Sequence, residues 1–196
     1  MPKWPVNWEL RTSKTHPIGV DWITHSSFKG SIGITLCPGK YQPTSWSGGW
    51  NRDLDCDVEL LAMSGASTII SLVEFHEMDE LRVPNLGEVI QKNGMKWIHL
   101  PFRDTTVPSD KWLRSFANVG QGILQSIQNG DSIIVHCKGG LSRAGVLVSI
   151  ILFLLGFKMQ DAISLIRKTR SAVCINFQQE GFLMSLFEPF IMKIID

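Results

Sequence analysis

The chain has 196 residues, of which 44% are hydrophobic and 19% charged, and its formal net charge is +1. That length fits one ordinary domain with its own core, and the composition excludes a disordered tail. So even a charge balance argues against nucleic acid or an anionic membrane as the main partner, and any anion the protein handles must be caught by local charge.

In chain order, the first fifty residues carry Trp4, Trp8, Trp22, Trp46 and Trp50 among prolines and glycines. Residues 1–30 read as a Trp-rich arm ahead of a main domain over 31–196. The indoles either cover the domain surface or offer a partner-binding face. A short apolar strand is predicted over 31–36, stopped by Cys37-Pro38-Gly39. Over 53–64, Leu54, Val58, Leu61 and Ala62 recur at helical spacing, with Asp53 able to cap and Gly65 as the stop. The β-branched, apolar stretch 67–73 predicts a buried strand. A helix over 84–92 puts Leu86, Val89 and Ile90 on one face and ends at Asn93-Gly94. A third strand follows over 96–101. A long helix over 109–128 has Ser109 as N-cap and Asn129-Gly130 as stop. Residues 132–135 form a very apolar strand, and three helices follow over 142–155, 159–169 and 176–194. Strands alternating with helices predict an α/β fold with a mostly parallel central sheet flanked by helices on both faces.

The N-terminal ten residues lack the basic-then-apolar order of a secretory signal, so a cytoplasmic location with free thiols is the expectation. Cys37, Cys56, Cys137 and Cys174 form no C-x-x-C pair, which argues against a structural metal site. The apolar run from Val146 to Phe157 is too short for a membrane span, which takes about 20 residues. Away from any special context, Cys37, Cys56 and Cys174 read as small buried hydrophobes. Any of them within reach could also trap an oxidised Cys137 as a disulfide.

The chemistry lies in Val135-His136-Cys137-Lys138-Gly139-Gly140-Leu141-Ser142-Arg143. An apolar strand runs into a Gly-rich loop and then a long apolar helix. Such a loop aims backbone N–H groups at one spot, and the helix dipole adds partial positive charge there. Cys137 opens that field, so its thiolate is expected to be favoured and to act as a nucleophile toward a bound phosphoryl group. Arg143 closes the loop and can fork two N–H groups onto phosphate oxygens. Gly139 and Gly140 supply the backbone freedom of a curled loop. There is no Walker pattern, so nucleotide binding is not implied. A leaving alkoxide or phenolate needs a proton. Asp104, in the loop after the third strand, is the candidate acid, and Asp110 is the rival at a predicted helix start, where it would favour the dipole.

The run from His136 through Arg143 resembles the cysteine-dependent protein tyrosine phosphatases, H-C-x-x-G-x-x-R, with Gly140 on the pattern's glycine. Cys37-Pro38-Gly39, Arg82-Val83-Pro84-Asn85-Leu86, Leu100-Pro101-Phe102-Arg103-Asp104 and Gly139-Gly140-Leu141 are similar to the kinase-associated branch of the dual-specificity phosphatases. The resemblance covers about 34–186. It implies a protein tyrosine phosphatase-like fold and hydrolysis of phosphate monoesters on protein Tyr, Ser or Thr through a cysteinyl-phosphate, without cofactor. Cys137, Asp104 and Arg143 would be catalytic, and the loop residues Lys138, Gly139, Gly140, Leu141, Ser142 and Arg143 would bind substrate. His136 would be a buried group orienting the loop. An amide after the penultimate helix would help place the attacking water; Asn176, Gln178 and Gln179 offer one, with Gln179 fitting the spacing best and Asn176 equally able to act as a helix cap. The implied partners are a phosphoprotein substrate and a kinase, and a monomer is expected.

Two features keep alternatives open. Lys138 beside the nucleophile would suit polyanionic substrates such as phosphoinositides, or is simply a rim lysine with mild steering. The family usually has Ser or Thr directly after the arginine, where this chain has Ala144. Loss of that hydroxyl should slow hydrolysis of the phosphoenzyme, with Ser142 as a partial substitute. The alternatives are thus a phosphoinositide or small-molecule phosphatase, or a slow-turnover phosphate-binding module. A sulfur-transfer enzyme also uses a cysteine in a curled loop, but Asp104 and Arg143 suit it less.

Overall fold

The computed structural model describes residues 10–44 and 48–186. Trp4, Trp8 and Trp46, and the predicted end of the last helix, lie outside the described residues. The strands are β1 (Asp21–Ile23), β2 (Ser31–Thr35), β3 (Tyr41–Gln42), β4 (Trp50–Asn51), β5 (Ala66–Ser71), β6 (Lys96–His99) and β7 (Ser132–His136). The helices are α1 (Leu54–Met63), α2 (Phe75–Glu80), α3 (Leu86–Lys92), α4 (Asp110–Asn129), α5 (Ser142–Leu154), α6 (Met159–Thr169) and α7 (Phe177–Ser185).

Five strands form one sheet in the order β1-β2-β7-β5-β6. β2, β7, β5 and β6 run parallel, and β1 adds an antiparallel edge. Thus Asp21–Ile23, within the stretch expected as an N-terminal arm, is a strand of the central sheet. The apolar runs read in the sequence exist because both faces are covered. Ile133 and Val135 of β7 pack with Leu113, Phe116, Leu147 and Ile151 on one side, while Ile134 packs with Val58, Leu61, Val89 and Ile90 on the other. The fold is therefore mixed α/β, with a mostly parallel central sheet flanked by helices. No helix among the described residues is long and apolar enough to cross a membrane.

Most predicted boundaries hold to within a residue or two. Asp53 caps α1 through its carboxylate on the Cys56 amide at 2.8 Å, and Ser109 caps α4. Four elements escaped the sequence reading: β1, the small β3–β4 hairpin and α2. Each is six residues or fewer, too short to show a period. α2 begins instead with a reciprocal capping box, in which the Glu77 carboxylate accepts the Glu74 amide at 2.9 Å. Cys56 corrects one expectation. It is exposed, because the third position of α1 faces away from the sheet, whereas Cys37, Cys137 and Cys174 are buried.

The C-terminal ends of three adjacent strands are tied by side chains as well as by the backbone. Trp97 Nε1 donates to Ser71 Oγ at 2.8 Å, and Ser71 Oγ lies 2.6 Å from His136 Nε2. A hydroxyl can accept from the indole and share a second hydrogen bond with the imidazole at the same time, so Ser71 links β6 to β7. His136 has no exposed surface, and burial pushes its pKa down from 6.5 to about 3.

A titration test follows. Between pH 6.5 and 3 the unfolded chain binds a proton that the folded chain refuses. Stability should therefore fall as pH drops through that window, by up to ~1.4 kcal/mol per pH unit from this residue. Urea unfolding of wild type and His136→Asn across those pH values should show a shallower slope in the variant, by about one proton. Identical slopes would remove His136 as the cause.

Candidate active site

β7 lies at the centre of the sheet, and the loop leaving its C-terminal end opens at the crevice where open parallel sheets bind ligands. Cys137 follows His136 directly and is 2% exposed. The loop then climbs through Lys138, Gly139, Gly140 and Leu141 to the start of α5 at Ser142.

The direction of the loop's amides follows from where its carbonyls are held. Lys40 Nζ donates to the Lys138 carbonyl at 3.2 Å. Arg170 Nη2 donates to the Gly139 carbonyl at 3.2 Å and its Nε to the Gly140 carbonyl at 3.0 Å. Arg170 is itself fixed by Asp21 of β1 at 2.5 Å. In a trans peptide the C=O and the next N–H point opposite ways, and the described chain has no cis bond. Three carbonyls drawn outward therefore turn the amides of Gly139, Gly140 and Leu141 toward the concave side.

The two glycines do not carry equal weight. Gly140 has φ +66°, and a Cβ there would lie 2.2 Å from the Thr35 carbonyl oxygen, so only glycine fits against the end of β2. A Cβ on Gly139 would meet nothing nearer than Leu141 at 3.8 Å. The expected backbone freedom is thus needed at Gly140 and not at Gly139.

Arg143, at the second position of α5, has no exposed surface. Its Nη1 and Nη2 grip the two carboxylate oxygens of Glu77, the Nη2 bond measuring 2.8 Å. Nη1 also donates to the Leu72 carbonyl at 3.1 Å and the Phe102 carbonyl at 3.0 Å. Burial alone would lower the Arg143 pKa, but the bonds to Glu77 and the nearby Cys137 and Asp104 outweigh it and hold the value above the usual one. Burial likewise pushes Glu77 up, but its bonds from Arg143 and the Glu74 amide win, and its carboxyl is held below the usual range. The end of the guanidinium is thereby committed. Nε, buried without a hydrogen-bond partner, and the second proton of Nη2 remain as one two-donor edge. Asp104 Oδ1 lies 3.1 Å from that Nε, as an ion pair outside the N–H direction.

Asp104, rather than Asp110, is the carboxylate at this edge. Asp110 sits in the first turn of α4. Asp104 is partly exposed, and its Oδ1 accepts the Thr105 amide at 2.9 Å. The loop carrying it is pinned from α7. Asn176 Nδ2 donates to the Thr105 carbonyl at 2.9 Å, and Gln179 Nε2 donates to the Thr106 carbonyl at 2.8 Å. Gln179 is fully buried. Its Nε2 also reaches Ser142 Oγ at 2.8 Å, and its Oε1 accepts the Asn176 amide at 3.1 Å. Asn176 does cap α7, and Gln179 completes the same capping box, whereas Gln178 is exposed. Lys138 points its Nζ toward Glu80 of α2, 3.9 Å away.

The structure therefore brings together Cys137, the loop amides, Arg143, Asp104, Ser142 and Gln179. Glu77, Lys40 and Arg170 were missed by sequence reasoning. Only Glu77 carried a local signal, its three-residue spacing from Glu74.

Comparison with known proteins places the chain in a family. Residues 69–188 match the family model described as "Dual specificity phosphatase, catalytic domain". Cyclin-dependent kinase inhibitor 3 of Rattus norvegicus is 27% identical over 164 residues, 81% of this chain and 73% of the relative. Protein tyrosine phosphatase type IVA 3 of Mus musculus is 30% identical over 133 residues, 68% of this chain and 71% of the relative. The crystal structure of kinase associated phosphatase, with serine replacing its catalytic-site cysteine, shares the fold at a TM-score of 0.76 and 23% identity, covering 91% of this chain and 96% of that one. With the family's catalytic domain spanning more than half of its residues, this chain belongs to the dual-specificity protein tyrosine phosphatases.

Proposed function

We propose that the chain hydrolyses phosphate monoesters on Tyr, Ser or Thr of a phosphoprotein through a cysteinyl-phosphate on Cys137. The observation that carries this reading is the Nε/Nη2 edge of buried Arg143 that Glu77 leaves free, whose Nε makes no hydrogen bond and has Asp104 as an ion-pair partner at 3.1 Å, with the loop amides turned to the same concavity. In the first step the Cys137 sulfur attacks phosphorus, the P–O bond to the protein oxygen breaks, and Asp104 gives that oxygen its proton. The amides of Gly139, Gly140 and Leu141 and the Arg143 edge take the phosphoryl oxygens and stabilise their charge. In the second step Asp104 accepts a proton from water, the water oxygen bonds to phosphorus, and the P–S bond breaks to return the thiolate.

His136, neutral at any working pH, acts in this scheme as an orienting group and not as a base. Gln179, with both Nε2 protons spent on Thr106 and Ser142, braces the acid loop against the phosphate loop, and it reaches a water only by exchanging one of those bonds. A kinase as the phosphoprotein partner is supported by the name of the rat relative, cyclin-dependent kinase inhibitor 3. A polyanionic lipid substrate draws less support, because the Lys138 ammonium leans toward Glu80.

Cys137→Ser should abolish hydrolysis of both para-nitrophenyl phosphate and phosphopeptides. Asp104→Asn should cost about 10²–10⁴ in kcat on phosphoserine peptides, and less on the aryl ester, whose leaving group needs little protonation. Equal losses on the two substrates would count against Asp104 as the acid. Turnover of soluble phosphoinositides faster than phosphopeptides would move the substrate class to lipids.

Ala144 is fully buried in α5, at the position where the family pattern that the sequence resembles usually has Ser or Thr. A hydrogen bond to a charged group is worth ~1.5–3 kcal/mol, so its absence slows thiolate departure by roughly ten- to a hundredfold. Rapid-mixing assays should show a burst near one equivalent followed by slow turnover, and Ala144→Ser should raise the steady rate and shrink the burst. An unchanged steady rate would refute this account of Ala144. Phosphopeptide binding without any burst would identify a binding module instead.

A further inference from the structure

Lys40 is a lysine almost without exposed surface, 4% overall, on the turn that follows β2. It is 98 positions away from the loop it touches. The turn that carries it is built to hold it there. The Gly39 amide donates to Asp57 Oδ2 at 2.9 Å, and Asp57 is locked by a two-bond ion pair with Arg52, both side chains buried. The Arg52 amide returns to the Lys40 carbonyl at 3.2 Å, and the Tyr41 amide donates to the Leu81 carbonyl at 2.8 Å. At Gly39, φ is +70°, and a Cβ would lie 2.6 Å from Leu54, so the turn is also fixed by close packing on α1. From this frame the Lys40 ammonium donates to the Lys138 carbonyl at 3.2 Å and to Gln42 Oε1 at 3.4 Å.

A buried ammonium needs a reason. Simple packing would be better served by an apolar side chain, since burying a cation opposes stability. Two consequences at the active site supply the reason. Fixing the Lys138 carbonyl outward sets the Gly139 amide inward, and Lys138 is the residue directly after the nucleophile. The Cys137 sulfur also acts on the ammonium, pulling the Lys40 pKa upward against burial. We infer that Lys40 is a positioning residue of the active site, holding the first peptide of the phosphate loop in its phosphate-binding orientation and adding positive charge behind the Cys137 thiolate. This rests on Cys137 being the nucleophile.

The groups that face Lys40 are Cys37 on its own turn, Cys137 and Lys138 on the phosphate loop, Arg52 after β4, and the Trp50 ring at 5.3 Å. Burial lowers the Lys40 pKa to about 8, with Cys37 and Cys137 pulling upward and Arg52 and Lys138 downward. Burial pushes the Cys37 thiol up to about 12, against a downward pull from the Lys40 charge. Lys40 is therefore mostly charged at neutral pH and loses its charge as pH rises through about 8. An arginine at the same place keeps its charge.

The test uses the full chain and para-nitrophenyl phosphate. Wild-type activity that Cys137→Ser abolishes establishes the underlying reading separately. Against that background kcat/KM should fall above pH about 8 in wild type, and that basic limb should move upward in Lys40→Arg. Lys40→Met should lower kcat/KM roughly ten- to a hundredfold at pH 7 and show no limb near 8. Iodoacetate should alkylate Cys137 more slowly in Lys40→Met than in Lys40→Arg, at matched pH and with unfolding midpoints measured alongside. A purely structural lysine would change the unfolding midpoint and leave the limb in place. Superimposable profiles in wild type and Lys40→Arg, or wild-type alkylation and kcat/KM in Lys40→Met, overturn the inference.

Discussion

Arg143 is a charged side chain inside the protein, and three separate parts of the chain converge on it to make that possible. Glu77 of α2 takes the end of the guanidinium with both carboxylate oxygens, and the carbonyls of Leu72 after β5 and of Phe102 in the loop before Asp104 share the remaining Nη1 proton. A buried ion pair of this kind gives little net stability, but removing one partner typically costs 3–5 kcal/mol because the other charge is stranded. The pair therefore acts as a constraint on placement. It fixes α2 and the acid loop relative to the start of α5, and it decides which edge of the guanidinium is left for a ligand.

The phosphate loop obeys the same logic from the outside. Its concave face is not set by residues that would touch a phosphate. It is set by cations behind it, Lys40 and Arg170, which draw the carbonyls of Lys138, Gly139 and Gly140 away. Arg170 in turn depends on Asp21 in the antiparallel edge strand β1, so a residue near the start of the described chain bears on the geometry of the site. On the other side, Gln179 and Asn176 tie the acid loop to α7, and Gln179 reaches on to Ser142. The loop carrying Asp104 and the loop after β7 are thus joined both by Arg143 and by α7.

The strand–loop–helix of the nucleophile was legible in the sequence because it is local: an apolar strand, a glycine at the required turn, and a helix follow one another without interruption. Asp104 was legible for a similar reason, as an acid just past a buried strand. Lys40 and Arg170 were not, since nothing near them in the sequence distinguishes them from solvated charges, and the spacing of Glu77 from Glu74 signals a helix start but not a buried partner. Glu77 meets Arg143 across 66 positions and Lys40 meets Lys138 across 98. Short elements such as β1 and α2 lack enough residues for a period to show. Cys56 was misjudged because composition says what cysteines usually do, while helical phase decides which way one faces.

What the amino-acid sequence determined by itself was the order of buried strands and helices and the placement of Cys137 and Arg143 at the two ends of one loop, because hydrophobic period and turn residues act over a few positions. What only the tertiary structure decided was which charges become buried and whom they meet. That choice depends on how distant strands align in the sheet, where burial turns an ordinary lysine, glutamate or arginine into a group that must find a partner.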